Sequence, residues 1–228
     1  MSIDSNIEQV RETIRQAALR AGRDPAEVTL IAVTKTHDEQ AMREAVDAGI
    51  EDIGENKAQE VRRKHPLLQR DVRWHFIGHL QRNKVKYVID KVAMIHSVDS
   101  LSLAGEISRR AQRLDQVMPV LLEVNVSGEE SKHGLAPGEV KPFLDDVRDL
   151  PGIRVQGLMT MAPYLDDPED TRPVFRSLRK LQQELTGMGY PLDVLSMGMT
   201  NDYQVAIEEG STHVRVGTAI FGVRKTNQ

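Results

Sequence analysis

The sequence predicts a single (β/α)8 TIM barrel with an extra helix at its N-terminus. Three observations carry that expectation. Eight short apolar runs recur along the chain, amphipathic helix-like stretches separate them, and 228 residues is close to the usual length of such a barrel. Strand–helix alternation points to parallel strands joined by helical crossovers. An open doubly wound sheet is the structural rival. No low-complexity segment or Gly/Ser linker interrupts the pattern, so residues 1–228 read as one domain.

The elements follow in order. Ile7, Val10, Ile14 and Ala18 recur at helical spacing, and Ser5 with Glu8 matches a capping box. Gly22 and Pro25 end this helix. The apolar runs are VTLIAV (28–33), EDIG (51–54), WHFIG (74–78), VAMIHSV (92–98), VLLEVNV (120–126), IRVQGLM (153–159), DVLSMG (193–198) and HVRVG (213–217). Between them, DEQAMREAVDAG stops at Gly49, a helix-ending residue. SLAGEISRRAQRL and EVKPFLDDVRDL are also helix-like, and TRPVFRSLRKLQQELTG sets Phe175, Leu178, Leu181 and Leu185 on one face. Trp74 and Phe76 are expected in the core or against the helices.

Composition narrows the function classes. A chain that is 39% hydrophobic and 28% charged fits a soluble globular protein with a full core. The formal net charge of −4 gives no global attraction to nucleic acid. No apolar run is long enough for a transmembrane helix. MSIDSNIEQVRETIRQ carries charges where a signal peptide needs an apolar stretch, so the cytoplasm is the expected location. The absence of cysteine excludes disulfides and thiolate zinc sites. Residues 60–91 hold nine Lys or Arg against three Asp or Glu, but no RNA-binding motif accompanies them and they read as solvated helix surface. His75 and His79 stand four apart yet straddle a strand end, and with no clear third ligand no metal site is expected.

A barrel gathers its functional residues at the C-terminal ends of its strands. The residues closing the apolar runs are Lys35, Asn56, His79, Ser97, Asn125, Thr160, Ser196 and Arg215. Most are unremarkable as loop starts or caps; Lys35 and Arg215 sit tightly against β-branched residues. Lys35 shares a strand face with Ile31 and Val33, where an ammonium is costly unless it is paired or its pKa falls. A lysine of depressed pKa is a nucleophile that forms Schiff bases with carbonyl compounds; the bland alternative is a lysine snorkelling from the strand end. LSMGMTND and VRVGTAIFG close the seventh and eighth runs, where barrels bind phosphate. Ser196, Gly198, Thr200, Gly217 and Thr218 are candidates for that cradle. A reactive lysine opposite a phosphate cradle implies a phosphorylated carbonyl compound, either the sugar phosphate of a Schiff-base aldolase or pyridoxal 5′-phosphate.

The segments AVTKTH, GENKAQE, WHFIGHLQRNK, VNVSGEESKHGL, GLMTMAP and LSMGMTNDYQVAIEEGSTHVRVGTAIFG resemble the YggS/PROSC family of pyridoxal phosphate homeostasis proteins over nearly the whole chain. The resemblance implies the barrel of alanine racemase without its second domain, and a carrier or regulator of pyridoxal 5′-phosphate with no established catalytic activity. It implies that Lys35 forms the Schiff base, that Asn56 lies beside the ring hydroxyl and that His79 lies near the ring. Ser196, Met197, Gly198, Gly217 and Thr218 match the phosphate loops, Arg215 faces the ring nitrogen, and Lys132 is a basic position near the mouth. Many members carry a second lysine where this chain has His37.

Arginine at the ring nitrogen has a chemical consequence. It only donates hydrogen bonds and stays protonated, so it leaves the ring neutral and the electron sink weak. That suits a carrier or a racemase and argues against transamination and decarboxylation. Racemisation needs an acid–base group on each face, and Tyr164 is the tyrosine expected nearest the mouth, with Tyr203 on the phosphate side. The expectation is a monomeric, cytoplasmic cofactor carrier that meets pyridoxal-phosphate-dependent apo-enzymes transiently and binds neither nucleic acid nor membrane. An amino-acid racemase or other Schiff-base enzyme is the alternative.

Overall fold

The computed structural model describes residues 2–68, 70–129 and 133–222. All eight apolar runs form strands: β1 (Thr29–Val33), β2 (Asp52–Glu55), β3 (Arg73–Phe76), β4 (Met94–Val98), β5 (Met118–Glu123), β6 (Ile153–Met159), β7 (Val194–Met199) and β8 (His213–Val216). They close a parallel barrel in chain order, which settles the choice against an open sheet. The seam joins the first strand to the last, with Thr29, Leu30, Ile31 and Ala32 opposite His213, Val214, Arg215 and Val216. The run at 120–126 leaves the barrel after Glu123, because Asn125 turns the chain by accepting from the Gly128 N–H at 3.1 Å.

The helices are α1 (Ile3–Arg20), α2 (Glu39–Asp47), α3 (Ala58–Lys64), α4 (Leu101–Gln112), α5 (Val140–Val147), α6 (Arg172–Gly187), α7 (Tyr203–Glu208) and α8 (Thr218–Phe221). The extra helix α1 starts earlier than the capping-box pattern implies. Ser2 is extended and its hydroxyl accepts from the Ser5 N–H, so Ser5 lies in the first turn rather than at the cap. Ile7, Val10, Ile14, Ala17 and Ala18 are buried as α1 packs on α7 and α8, and the Asn6 amide donates to the Ile220 carbonyl at 2.8 Å. The short helices α3, α7 and α8 span too few turns to give a periodic signal. No helix among the described residues is long and apolar enough to cross a membrane.

Period-two alternation divides the strand residues. Ile53, Trp74, Phe76, Ile95, Leu122, Leu195 and Val214 face the helices and form the main core. Met94, Leu121 and Met159, with Val194, form a separate apolar cluster. On β4, β5 and β7 they share strand faces with the buried polar residues His96, Glu123 and Ser196, and Arg215 is buried on β8. The lumen is therefore apolar over part of its depth and polar over the rest.

Strand β6 approaches β7 too closely for any side chain at Gly157, where a Cβ would lie 1.8 Å from the Val194 carbonyl oxygen. Backbone cannot yield there without breaking the ladder. Gly157→Ala is expected to cost at least about 3 kcal/mol in chemical denaturation, the upper end for an overpacked site. Gly105→Ala, in α4 with nothing within 4 Å of the new Cβ, should instead stabilise by about 0.5–1 kcal/mol.

Candidate functional site

A cavity of about 380 Å³ opens at the C-terminal mouth, within the range of small-molecule sites. Its wall includes Lys35, Asn56, Tyr164, Thr200, Arg215 and the Gly217–Thr218 turn. The β1–β8 seam explains why the first and last of the expected residues meet there, since Ile31 pairs with Arg215 and Lys35 follows on the same strand face.

A buried ionic cluster fixes the backbone on both sides of Lys35. Lys64 is 1% exposed and donates to the Thr34 carbonyl (2.8 Å), Glu55 Oε1 (2.6 Å) and Glu60 Oε2 (2.8 Å). The Thr34 hydroxyl donates to the same Glu55 oxygen at 2.7 Å, and the Thr36 N–H donates to Glu60 at 3.0 Å. Burial acts to raise the Glu60 pKa, but the hydrogen bonds from Lys64 and Thr36 outweigh it and hold the carboxyl below its ordinary range. Thr36 adopts a left-handed φ of 67°, a conformation few non-glycine residues take unless their surroundings impose it. The lysine that the interior holds is thus Lys64, and Lys35 projects into the cavity from the loop that Lys64 secures.

Arg215 is buried, with Nη1 donating to Ser196 Oγ (2.5 Å) and Nη2 to the Thr160 carbonyl (2.9 Å). Burial pulls its pKa down to about 10, while the Asp202 and Glu123 carboxylates hold it up, so it remains a cation at neutral pH. Behind it runs a hydrogen-bonded chain. Ser196 Oγ is 2.9 Å from His96 Nδ1, His96 Nε2 is 2.9 Å from His75 Nδ1, and His75 Nε2 is 2.8 Å from Asp52 Oδ1. Burial pushes the His96 pKa well below the ordinary imidazole range and keeps it neutral. With His75 and His96 both neutral and Asp52 as the terminal acceptor, the Ser196 hydroxyl, which accepts from Arg215, gives its own proton to His96 Nδ1. His96 then donates from Nε2 to His75, and His75 donates from Nε2 to Asp52. Burial opposes the ionisation of Asp52, but hydrogen bonds from His75 and Arg73 prevail and bring it down to about 2. In that tautomer every donor in the chain points from the mouth toward the N-terminal end of the barrel.

Of the residues expected at the site, Lys35, Asn56, Thr200, Arg215, Gly217 and Thr218 line the cavity, whereas His79, Ser196, Met197 and Gly198 do not. Ser196 lies beneath Arg215 as its acceptor. Met197 falls on the outward face of β7 and is buried against the helices. Gly198 has φ +93° at a β-bulge, where Ser196 and Met199 oppose His213 and Arg215. A Cβ there would meet Ala206 Cβ at 2.6 Å, so its glycine serves the packing of α7. His79 stacks on His133 instead of turning to the cavity. His75, inside the barrel, does not converge with it. Tyr203 is buried beside Thr13 of α1, and Tyr164, 81% exposed, is the one tyrosine on the cavity wall. His37 also lines the cavity and stacks on Phe221 at 4.6 Å. Lys132 lies outside the described residues. Apart from the buried Lys64, the basic stretch does not enter the interior as a patch; Arg62, Lys84 and Lys86 lie 5.1, 5.7 and 5.0 Å from the Tyr87 ring centre, and none of them lines the cavity.

Sequence reasoning missed Met199, Asn201 and Asp202 on the cavity wall, and Glu123 below the mouth. The inward parity of β5, which sets Glu123 on the face of Leu121, was the available signal for the last. Glu123 is 4% exposed and its Oε2 has no hydrogen-bond partner. Burial, with repulsion from Asp99, pushes its pKa from 4.5 to about 6. A carboxyl whose folded pKa is raised favours the folded state when protonated. Its cost is absent below 4.5 and complete above 6, where it amounts to about 2 kcal/mol. Glu123→Gln should therefore stabilise the protein at pH 8 by up to about 2 kcal/mol and flatten the stability profile between pH 4.5 and 6. Denaturant titrations across that range read both effects.

The family model described as the alanine racemase N-terminal domain matches residues 3–225. A pyridoxal phosphate homeostasis protein of Aquifex aeolicus is 46% identical over 227 residues, covering 99% of this chain and 100% of that protein. A crystal structure of an unknown protein from Bifidobacterium adolescentis superposes with a TM-score of 0.91 at 42% identity, covering 96% of this chain and 94% of that one. PipY of Synechococcus elongatus PCC7942, solved with pyridoxal phosphate bound, gives a TM-score of 0.81 at 36% identity over 92% of this chain and 99% of PipY. The barrel, its seam and these full-length likenesses agree, and the chain belongs to the family of pyridoxal phosphate homeostasis proteins.

Proposed function

We propose that this protein binds pyridoxal 5′-phosphate at the barrel mouth and acts in cofactor homeostasis as a carrier without efficient catalysis. The observation that carries the proposal is the meeting of Lys35, Arg215 and the Gly217–Thr218 turn on one cavity. The residues fit the group. Asn56 Oδ1 is buried without a protein partner and suits a ring hydroxyl. Thr200 Oγ1 lies 3.3 Å from the Gly217 N–H and 3.4 Å from the Ala219 N–H, which supports a phosphate position on that side. The bound cofactor supplies an aldehyde that a lysine amine takes up with loss of water. The position of Lys35 on the cavity wall, with its flanking backbone held at Thr34 and Thr36, supports it as that lysine.

Arg215 faces the cavity as a pure donor, so a ring nitrogen beside it acts as acceptor and carries no proton. That keeps the electron sink weak and supports a holding role. Transient hand-over to apo-enzymes by a cytoplasmic monomer completes this reading; light scattering checks the mass.

Borohydride reduction of the loaded protein should leave a phosphopyridoxyl group on Lys35 in peptide mass spectra, and Lys35→Ala should remove it. Modification of Lys57 in the parent protein would assign the linkage elsewhere.

A racemase is the second reading, favoured by Tyr164 on the same wall as Lys35. Tyr164 is almost fully solvated, which leaves it poorly fixed for proton transfer. Deuterium exchange at the α-carbon of L- and D-alanine should be slow and unchanged by Tyr164→Phe. Rapid exchange lost in that variant would make the protein an enzyme.

A further inference from the structure

A second group of mouth residues stands apart from the cavity. His79 follows β3, Asp99 follows β4 and His133 lies in the segment after β5, so three neighbouring strand ends converge. One ring nitrogen of each histidine and one carboxylate oxygen of Asp99 lie within 4.8 Å of one another. The two imidazoles stack with centroids 3.9 Å apart and planes inclined by 13°. His79 Nδ1 is 3.7 Å from Asp99 Oδ2, too long for a hydrogen bond. His75, His96 and His213, inside the barrel, each have hydrogen-bond partners at 2.8–3.0 Å, the shortest and longest being to Asp52 and Thr212. Among the described residues, the mouth trio makes no hydrogen bond at all. Its lone pairs converge without being committed.

Glu123 adds an independent observation. It is 96% buried, one of its oxygens is unpartnered, and it lies close enough to Asp99 and His133 to feel both charges. Two imidazoles and one carboxylate drawn together without hydrogen-bonding one another are arranged as cation ligands are.

We propose that His79, Asp99 and His133 bind a divalent transition metal of the zinc class, with the Glu123 carboxylate behind them. Two imidazole nitrogens and one carboxylate oxygen suit zinc, cobalt or nickel, whereas magnesium and calcium take oxygen ligands. Bonds of about 2.0–2.2 Å require the three atoms to draw inward, which the exposed His79 and His133 rings achieve by side-chain rotation. Three protein ligands leave a position open for water or a small ligand at the mouth. The site shares no residue with the Lys35 cavity, so it stands whether or not that cavity holds cofactor.

Cobalt(II) is the probe. Titrated into the full chain, with and without pyridoxal phosphate, it should give visible d–d bands that saturate at one ion per chain and disappear on addition of zinc. His79→Ala and His133→Ala should each weaken binding by at least about tenfold, since loss of an outer-shell partner alone costs that much. Asp99→Asn should weaken it without unfolding the protein, and circular dichroism verifies the fold of each variant. Affinity unchanged in all three variants, or only weak multi-site binding without discrete bands, would overturn the proposal. Failure of borohydride to label Lys35 would leave the cobalt result unaffected, so the two proposals fail separately.

Discussion

The hydrogen-bond ladder between β1 and β8 is the constraint on which the rest depends. A parallel sheet of eight strands has two edges, and closing it removes both at once. The register of that closure sets Ile31 beside Arg215, and with it the reach of Lys35 toward the arginine and the Gly217 turn. A slip of one residue would send Arg215 into the helix layer and leave Lys35 facing valine. Helix α1 reinforces the closure from outside, spanning to α7 and α8 and holding the Ile220 carbonyl through Asn6.

Closure also creates a lumen that must be filled. Here the filling is partly titratable. Asp52, His75, His96, Ser196 and Arg215 are each buried, and each is costly alone. Linked in one direction, they satisfy one another, with the cation at the mouth and the anion near the opposite end. Among the described residues Arg215 has no carboxylate within ion-pair distance, and its donors are aimed by Ser196 and Thr160. An arginine so held is a fixed feature of the cavity rather than a mobile side chain.

The barrel was legible because its evidence is local: eight apolar runs, with turns and amphipathic stretches between several of them. The site was legible where strand ends and inward parity coincide, at Lys35, Asn56 and Arg215. Met197 fell to the outward side by the same alternation that puts Ser196 inside. The depth of Ser196 below the mouth depends on the β7 bulge, which no linear pattern states. Lys64 was hidden for a different reason. In RRKH it looks solvated, and its burial depends on Thr34, Glu55 and Glu60, which only the fold assembles around it. The convergence of His79 with Asp99 and His133 is likewise a property of three adjacent strand ends.

The seam has a consequence for how the molecule is made. During synthesis Lys35 emerges well before its neighbours at 215–218. Until β8 inserts against β1, the lysine has no arginine beside it and no turn opposite it. A nascent chain on the ribosome thus carries Lys35 without the pocket. Assembly of that pocket awaits the pairing of β8 with β1.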